Sequence, residues 1–207
     1  MQHGIVNPMG PAPDDQVLDA ADRIIEREGL RGLSLSSIAD EAGISRVTLH
    51  RRGISVNDCL VGVLVRASDD LRTSLWPVAT GSGDAAERLE MGLRVLCEVA
   101  ERHGGVVVQF FGQPNLPIPG RPGRTTSLEF IELFERLLRD GMTDGSLSVT
   151  DPAREATLIA NSVFWTYLQM TRAHGWPPDE AAGRAIAMAT GTVRTPGCIT
   201  PAWPAAC

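Results

Sequence analysis

Lysine is absent from the 207-residue chain, so all 19 basic residues are arginines. Without lysine the chain has no P-loop lysine for a nucleotide and no Schiff-base lysine. Aromatic residues make up only 5% of the chain, which favours helices over sheets. The cysteines form no C-x-x-C pair, so we expect no metal knuckle or redox motif, and we expect reduced thiols in a cytoplasm. They are Cys59, Cys97, Cys198 and Cys207.

Signals for catalysis and for membrane insertion are also missing. The sequence contains no G-x-S-x-G, no H-E-x-x-H and no G-x-G-x-x-G after a strand, so we expect no enzyme, no cofactor and no metal. The most apolar stretch, 156–170, contains Asn161 and Ser162 and is too short to cross a membrane. Residues 1–15 lack the basic start and apolar run of a targeting segment. These absences predict a cytoplasmic protein without a membrane partner.

One short stretch, residues 34–60, carries most of the functional information. Ser34 is a suitable N-cap for a short helix that contains Ile38 and Ala39, and Gly43 is a suitable stop for it. Ser45 is a second N-cap, and it precedes the segment RVTLHRR. Two short helices joined by a glycine turn predict a helix-turn-helix, in which the second helix enters the DNA major groove.

This pattern resembles the N-terminal motif of the TetR (tetracycline-repressor) family of bacterial transcription regulators, from Val17 to about Leu64. The resemblance rests on the first helix ending at Gly29, the segment LSLSSIA from residue 33, the turn AGIS from residue 42, and the pair Thr48-Leu49. The chain departs from the family at residues 50–53, where His, Arg, Arg and Gly replace the usual Tyr, any residue, His and a core residue. Val56 replaces a usual lysine.

The charge distribution allows DNA binding only through a small patch. The chain has a formal net charge of −6. Residues 42–57, however, contain three arginines and no acidic residue. Because salt screens charges beyond about 8 Å, this local patch decides the attraction to phosphates. We predict contacts to a double-stranded DNA operator, with Arg46 at a guanine edge. The predicted contact residues are Ser45, Arg46, Thr48, His50, Arg51 and Arg52.

The rest of the chain predicts an all-α protein of about nine helices. Apolar stripes recur at helical spacing. Pro77 and the glycine turn at 81–83 are predicted to end one helix, and Gly104-Gly105 is predicted to break the next, which begins near Asp84. Residues 113–123 are predicted to form a loop, and Asp151-Pro152 is predicted to begin a later helix. We expect a flexible arm (1–13), a three-helix DNA-binding domain (14–58), a helical effector-binding and dimerisation domain (59–194) and a tail (195–207). The last two helices are predicted to pack on the same pair in a second subunit, and the resemblance implies the same homodimer.

A small-molecule site is predicted in the second domain, where nearly all aromatic residues lie. Taken singly, each of these residues is more often part of a core than of a pocket; as a set, with a few polar groups, they fit a cavity between helices. Their candidate lining is Leu96, His103, Gln109, Phe110, Phe134, Trp165, Tyr167 and Gln169.

Two functions remain open from the sequence. The first is a one-component transcription regulator of the TetR type, a repressor that binds a palindromic operator as a dimer and responds to a small apolar ligand. The alternative is a ligand-binding protein of the same fold in which DNA binding is weakened or lost. The absence of lysine, the departures at residues 50–53 and the acidic first domain favour the alternative.

Overall fold

The described residues fold mainly into α-helices. The computed structural model describes residues 12–110 and 126–194, and of residues 109, 110 and 126–130 it describes the backbone alone. The described part contains eight α-helices: α1 (Asp15–Glu28), α2 (Leu35–Glu41), α3 (Arg46–Arg51), α4 (Val56–Ala79), α5 (Ala85–Phe110), α6 (Thr126–Asp144), α7 (Pro152–Leu168) and α8 (Pro178–Thr190). The predicted all-α fold is confirmed. Among these helices, none has the length and apolar character needed to cross a membrane.

The described residues form two compact units. One contains 12–70 with 103–110 and 126–127, and the other contains 71–102 with 128–194. The boundary therefore falls within α4, within α5 and near the start of α6, so these three helices contribute to both units.

The core of the first unit is built from one face of each of its helices. α1 contributes Val17, Leu18, Ala21, Ile24 and Ile25 at helical spacing. Ile38 and Ala39 of α2, Leu49 of α3 and Ile54 join them, together with residues of α4 and Val106 of α5. Burial of these side chains fixes α2 and α3 against α1.

The second unit contains the pair α7 and α8, which pack on each other. Asp151 caps α7 by accepting a hydrogen bond from the Arg154 amide, and Pro152 occupies the first turn, as the sequence predicts. α7 ends at Leu168, and a π-helical turn (Gln169–Ala173) follows it.

Two helix boundaries differ from the sequence-based expectation. α5 continues through Gly104-Gly105 instead of breaking there. A Cβ added to Gly105 would lie 3.2 Å from Cγ of Glu26, so the glycine permits a close approach to α1. α4 includes Pro77, which the sequence places at the end of the helix. Pro77 lies in the last turn of α4 and has no backbone N–H to donate to the Thr73 carbonyl. The predicted loop at 113–123 and the tail at 195–207 lie outside the described residues.

Candidate nucleic-acid interface

Helix α2 and the turn after it are held by local hydrogen bonds. The Ser37 amide donates to Oγ of Ser34 over 3.1 Å, and the Ser34 amide donates to Oγ of Ser37 over 2.9 Å, which together form a capping box. Gly43 adopts a φ of 65°, a conformation that favours glycine. The Ile44 amide then donates to the Ala39 carbonyl over 3.0 Å and closes the turn. The turn therefore sets where α3 begins.

Helix α3 is short and is anchored at three points. Oγ of Ser45 accepts a hydrogen bond from the Thr48 amide over 3.0 Å and lies 2.8 Å from the Thr48 hydroxyl. Leu49 is fully buried, at 0% exposure, in the core of the first unit. After the helix, Gly53 takes a φ of 69° and lets the Ile54 amide donate to the Leu49 carbonyl over 3.1 Å. A side chain at position 53 would be strained at this φ.

The side chains on the outer surface of α3 are polar or cationic, with one exception. Arg46, His50 and Arg51 are exposed, and Thr48 is half-buried. Within the described part of the chain, Arg46 and Arg51 form no ion pair. The exception is Val47, which is 74% exposed. The structure thus brings all six predicted contact residues to one segment between α2 and α4.

Arg52 has a partner that the sequence analysis did not find. Its Nη1 atom lies 2.7 Å from Oδ2 of Asp14, while Oδ1 of Asp14 caps α1 by accepting from the Val17 amide. Because the Arg52 side chain is 46% exposed, the guanidinium keeps an open side. The sequence shows an acidic residue, Asp14, in the capping position before α1. It does not show that this residue pairs with an arginine 38 positions further along the chain.

Several acidic side chains of α1 and α2 form ion pairs with arginines of the same unit. Glu41 of α2 accepts from Arg23 over 2.8 Å and from Arg27 over 3.2 Å. The hydrogen bond from Arg23, followed by that from Arg27, lowers the pKa of Glu41. Two further acidic residues of α1, Asp15 and Asp19, contact Arg66. These three arginines are paired within the unit, whereas no ion pair is found for Arg46 and Arg51 of α3 among the described residues.

A small polar cluster lies at the other side of the same unit. Nε2 of His103 is 2.9 Å from Oδ2 of Asp70, whereas Nδ1 of His103 and Oδ1 of Asp22 are buried without a hydrogen-bond partner among the described residues. Burial raises the pKa of Asp22, and the nearby His103 opposes this rise. His103 is thus bound within the first unit. The described residues contain no group of three or more His, Cys, Asp or Glu side chains arranged to hold a metal ion.

The second unit has an open pocket of about 450 Å³. Its floor contains the buried Cys97, Tyr167 and Ala182, and its rim is charged. The Tyr167 hydroxyl donates to Oε2 of Glu101 over 2.9 Å, and burial, followed by this hydrogen bond, raises the pKa of Tyr167. Burial also raises the pKa of Cys97 to about 12, so its thiol stays neutral. The remaining lining residues are Arg94, Glu98, Arg102, Pro178 and Asp179.

Of the predicted effector residues, Tyr167 lines this pocket. Leu96 and Phe134 are buried in the second unit, Trp165 is half-buried beside Phe164, and Gln169 is exposed. The side chains of Gln109 and Phe110 lie outside the described residues. The predicted cavity between helices stays a prediction. The charged rim had no sequence signal, because its residues come from α5 and α8, far apart along the chain.

A helix-turn-helix whose second helix carries exposed cationic side chains is typical of proteins that bind DNA. Comparison with known proteins agrees on this motif: residues 17–52 match the family model described as bacterial regulatory proteins, tetR family. The match covers the helix-turn-helix, and the fold of the chain is similar to that of TetR-family regulators. No curated protein matches it.

Solved structures of TetR-family regulators share the fold of this chain. A TetR/AcrR-family regulator from Thermobifida fusca is 22% identical, with a TM-score of 0.64 over 84% of this chain and 94% of the other. SmeT, the repressor of the Stenotrophomonas maltophilia multidrug efflux pump SmeDEF, is 16% identical, with a TM-score of 0.68 over 91% and 94%. The ketosteroid transcriptional regulator KstR2 of Mycobacterium tuberculosis is 18% identical, with a TM-score of 0.65 over 91% and 100%.

Proposed function

We propose that this protein is a one-component transcriptional repressor that binds a palindromic operator as a homodimer and is released by a small apolar or amphipathic ligand. The observation that carries the proposal is the outer surface of α3. It holds Arg46 and Arg51, both exposed, on a helix whose position is fixed by the Ser45 cap and the buried Leu49.

The arrangement of α3 supports a division of roles among its side chains. Arg46, in the first turn, is suited to pair with the edge of a guanine, and Thr48 to contact a thymine methyl or a phosphate. His50, Arg51 and Arg52 lie towards the end of the helix, where they suit phosphate oxygens. The hydrogen bond that Arg52 donates to Asp14 keeps the guanidinium in one orientation while its exposed side remains open to a phosphate.

The homodimer is supported by exposed apolar side chains on α7 and α8. Leu158 of α7 is 62% exposed and Met188 of α8 is 61% exposed, although these two helices otherwise bury their apolar residues against each other. A second copy of the same pair would cover both side chains. Two copies of α3 related by a two-fold axis would then read two half-sites.

The ligand site is the least constrained part of the proposal. The pocket of the second unit offers an apolar floor and charged groups on its rim, which suits a ligand with an apolar body and a polar group. SmeT has been solved with triclosan, at a TM-score of 0.66 and 16% identity to this chain. A ligand that binds one conformer of the protein more tightly than another shifts the population towards that conformer. DNA binding then changes because the two conformers differ in their affinity for the operator.

Binding to DNA from the gene's own upstream region tests the proposal. Fluorescence anisotropy at several salt concentrations should give competitor-resistant binding and a protected palindrome. If Arg51 and Arg52 of both subunits each neutralise one phosphate, the slope of log affinity against log salt is about −3.6. An Arg51→Ala variant should reduce the magnitude of this slope by about 1.8 in a dimer.

The control for charge is Arg154→Ala, which removes an exposed arginine of α7 and should leave the slope unchanged. Leu158→Glu tests the dimer: we expect monomers in sedimentation analysis and loss of binding to the full palindrome. The matched Met91→Glu, at an exposed residue of α5, should remain dimeric.

A second candidate function is a ligand-binding protein with the same fold that no longer binds DNA. The pairing of Arg52 with Asp14 favours it, because a phosphate must compete with a carboxylate at 2.7 Å. Binding that vanishes at physiological salt and shows no protected palindrome would support this candidate and contradict the repressor.

A further inference from the structure

An apolar side chain occupies the outermost position of α3. At about 100° per residue, Val47 lies about 200° around the helix from Leu49, and so does Arg51 in the other direction. Leu49 is fully buried, so Val47 and Arg51 point away from the core. At 74%, Val47 is also the most exposed of the large apolar side chains in the described chain. It is one turn from Arg51 and adjacent to Arg46.

Val47 does not contribute to the stability of the unit. The other apolar residues of the motif, Ile38, Ala39 and Ile54 among them, are buried in the core. A β-branched side chain in a helix loses rotamer freedom, and an exposed alanine would stabilise α3 more. The residue at position 47 therefore suits a binding partner and not the fold.

The surroundings of Val47 identify the kind of partner. The exposed cations Arg46 and Arg51 flank it, and the nearest stretch of chain, 42–57, contains no acidic residue. An apolar protein surface would have to desolvate these guanidinium groups, whereas duplex DNA offers phosphates and base acceptors to them. Within the major groove, the apolar group that bases present is the C5-methyl group of thymine.

We infer that Val47 is a specificity-determining residue that packs against the C5-methyl group of one thymine in each operator half-site. This inference rests on the proposed function and extends it from DNA binding to the identity of one base. Arg46 reads a base edge by hydrogen bonding, and Val47 adds an apolar contact beside it.

Single replacement of thymine by deoxyuracil tests the inference, because it removes only the methyl group. The probe is the operator fragment protected in the upstream DNA, with each thymine of one half-site replaced in turn. For the wild-type protein we expect one position at which the replacement weakens binding about fourfold, the effect of exposing one methyl-sized apolar group. Replacement in both half-sites should weaken binding roughly 16-fold, since distant effects add.

The decisive variant is Val47→Ala. At the sensitive position its affinities for thymine and uracil should become equal, while its response at every other thymine stays as in wild type. Met91→Ala, which truncates another exposed apolar side chain, should keep the fourfold ratio. Circular dichroism should show unchanged helix content in both variants, and neither variant should have a lower melting temperature than wild type.

Three outcomes would overturn the inference, and each has a different consequence for the proposed function. If the protein protects an operator but no thymine-to-uracil effect depends on Val47, the inference is wrong and the repressor proposal stands. If Val47→Ala changes the oligomeric state at an unchanged thymine-to-uracil ratio, Val47 belongs to a protein interface. If the wild-type protein protects no operator, the proposed function is wrong, and the inference that rests on it is wrong as well.

Discussion

Helices α3 and α7 are built in opposite ways. α3 has six residues and buries one of them, Leu49, so a side-chain cap and one apolar anchor hold it. α7 has 17 residues and buries seven, so packing holds it along its whole length. The comparison separates binding from folding: the exposed side chains of α3 are available to a binding partner, whereas the seven buried side chains of α7 stabilise the fold.

The largest test of this comparison is Leu49→Ala. Removing the single buried side chain of α3 should cost about 2–5 kcal/mol of unfolding free energy, because the cavity cannot be filled by the short helix. Chemical denaturation followed by circular dichroism measures this change. Arg154→Ala, at an exposed residue of α7, should stay within about 0.5 kcal/mol of wild type. Equal losses for the two variants would contradict the contrast.

Arg46→Ala sharpens the functional side of the comparison. We expect the loss of about 1–3 kcal/mol of discrimination at one base pair per half-site, with little change in stability. Arg52→Ala should instead weaken all DNA sequences about equally. Competition binding with single-base operator variants measures both. If Arg46→Ala leaves affinity and sequence preference unchanged, α3 does not dock as proposed.

Asp144→Ala examines a cap in the second unit. Asp144 accepts hydrogen bonds from the amides of Ala85, over 2.8 Å, and Ser146, over 2.9 Å, so it ties the start of α5 to the end of α6. We expect a loss of about 1 kcal/mol. The hydrogen bonds from Ser146 lower the pKa of Asp144 below its usual 3.8. The contribution is therefore present above pH 3.8 and is lost as pH falls through the lowered pKa.

Denaturation at several pH values measures this effect. Asp144→Asn keeps an acceptor for one amide and should lose less than the alanine variant. A difference between wild type and Asp144→Ala that is constant down to low pH would mean that the carboxylate charge has no part in the cap.

Asp22→Asn gives the smallest expected effect, and its sign is opposite. Burial raises the pKa of Asp22 above its usual 3.8, so the folded state binds its proton more strongly than the unfolded state does. Its contribution to stability is full below pH 3.8 and is lost as pH rises through the raised pKa. The asparagine variant should therefore melt higher than wild type at neutral pH and converge with it below pH 3.8.

Asp19→Asn provides the matched control on the same helix, because Asp19 is exposed and contacts Arg66 over 2.7 Å. It should not raise the melting temperature at neutral pH. A lower melting temperature for Asp22→Asn at pH 7 would mean that attraction to His103 and Arg66 outweighs the cost of burial.

The features that could be predicted from the sequence are those that depend on residues close together along the chain. The caps at Ser34 and Ser45 and the turn at Gly43 act within three or four residues, so composition and spacing were sufficient for α2 and α3. The passage of α5 through Gly104-Gly105 was missed because it depends on the approach of Glu26, a contact between distant residues. For the same reason the sequence did not show that the residues of the pocket rim come together, or that Arg52 meets Asp14.

The carboxylate of Asp14 has two tasks, one for each oxygen: it caps α1 and it orients Arg52. Ser, Thr and Asn are also good caps, but none of them carries the charge that Arg52 meets. As long as residue 52 is an arginine, replacing Asp14 by one of these neutral caps removes an ion pair. If residue 52 is not an arginine, the same replacement keeps the cap and loses no ion pair. The choice of residue at the N-cap of α1 is thus constrained by Arg52, the residue that follows α3.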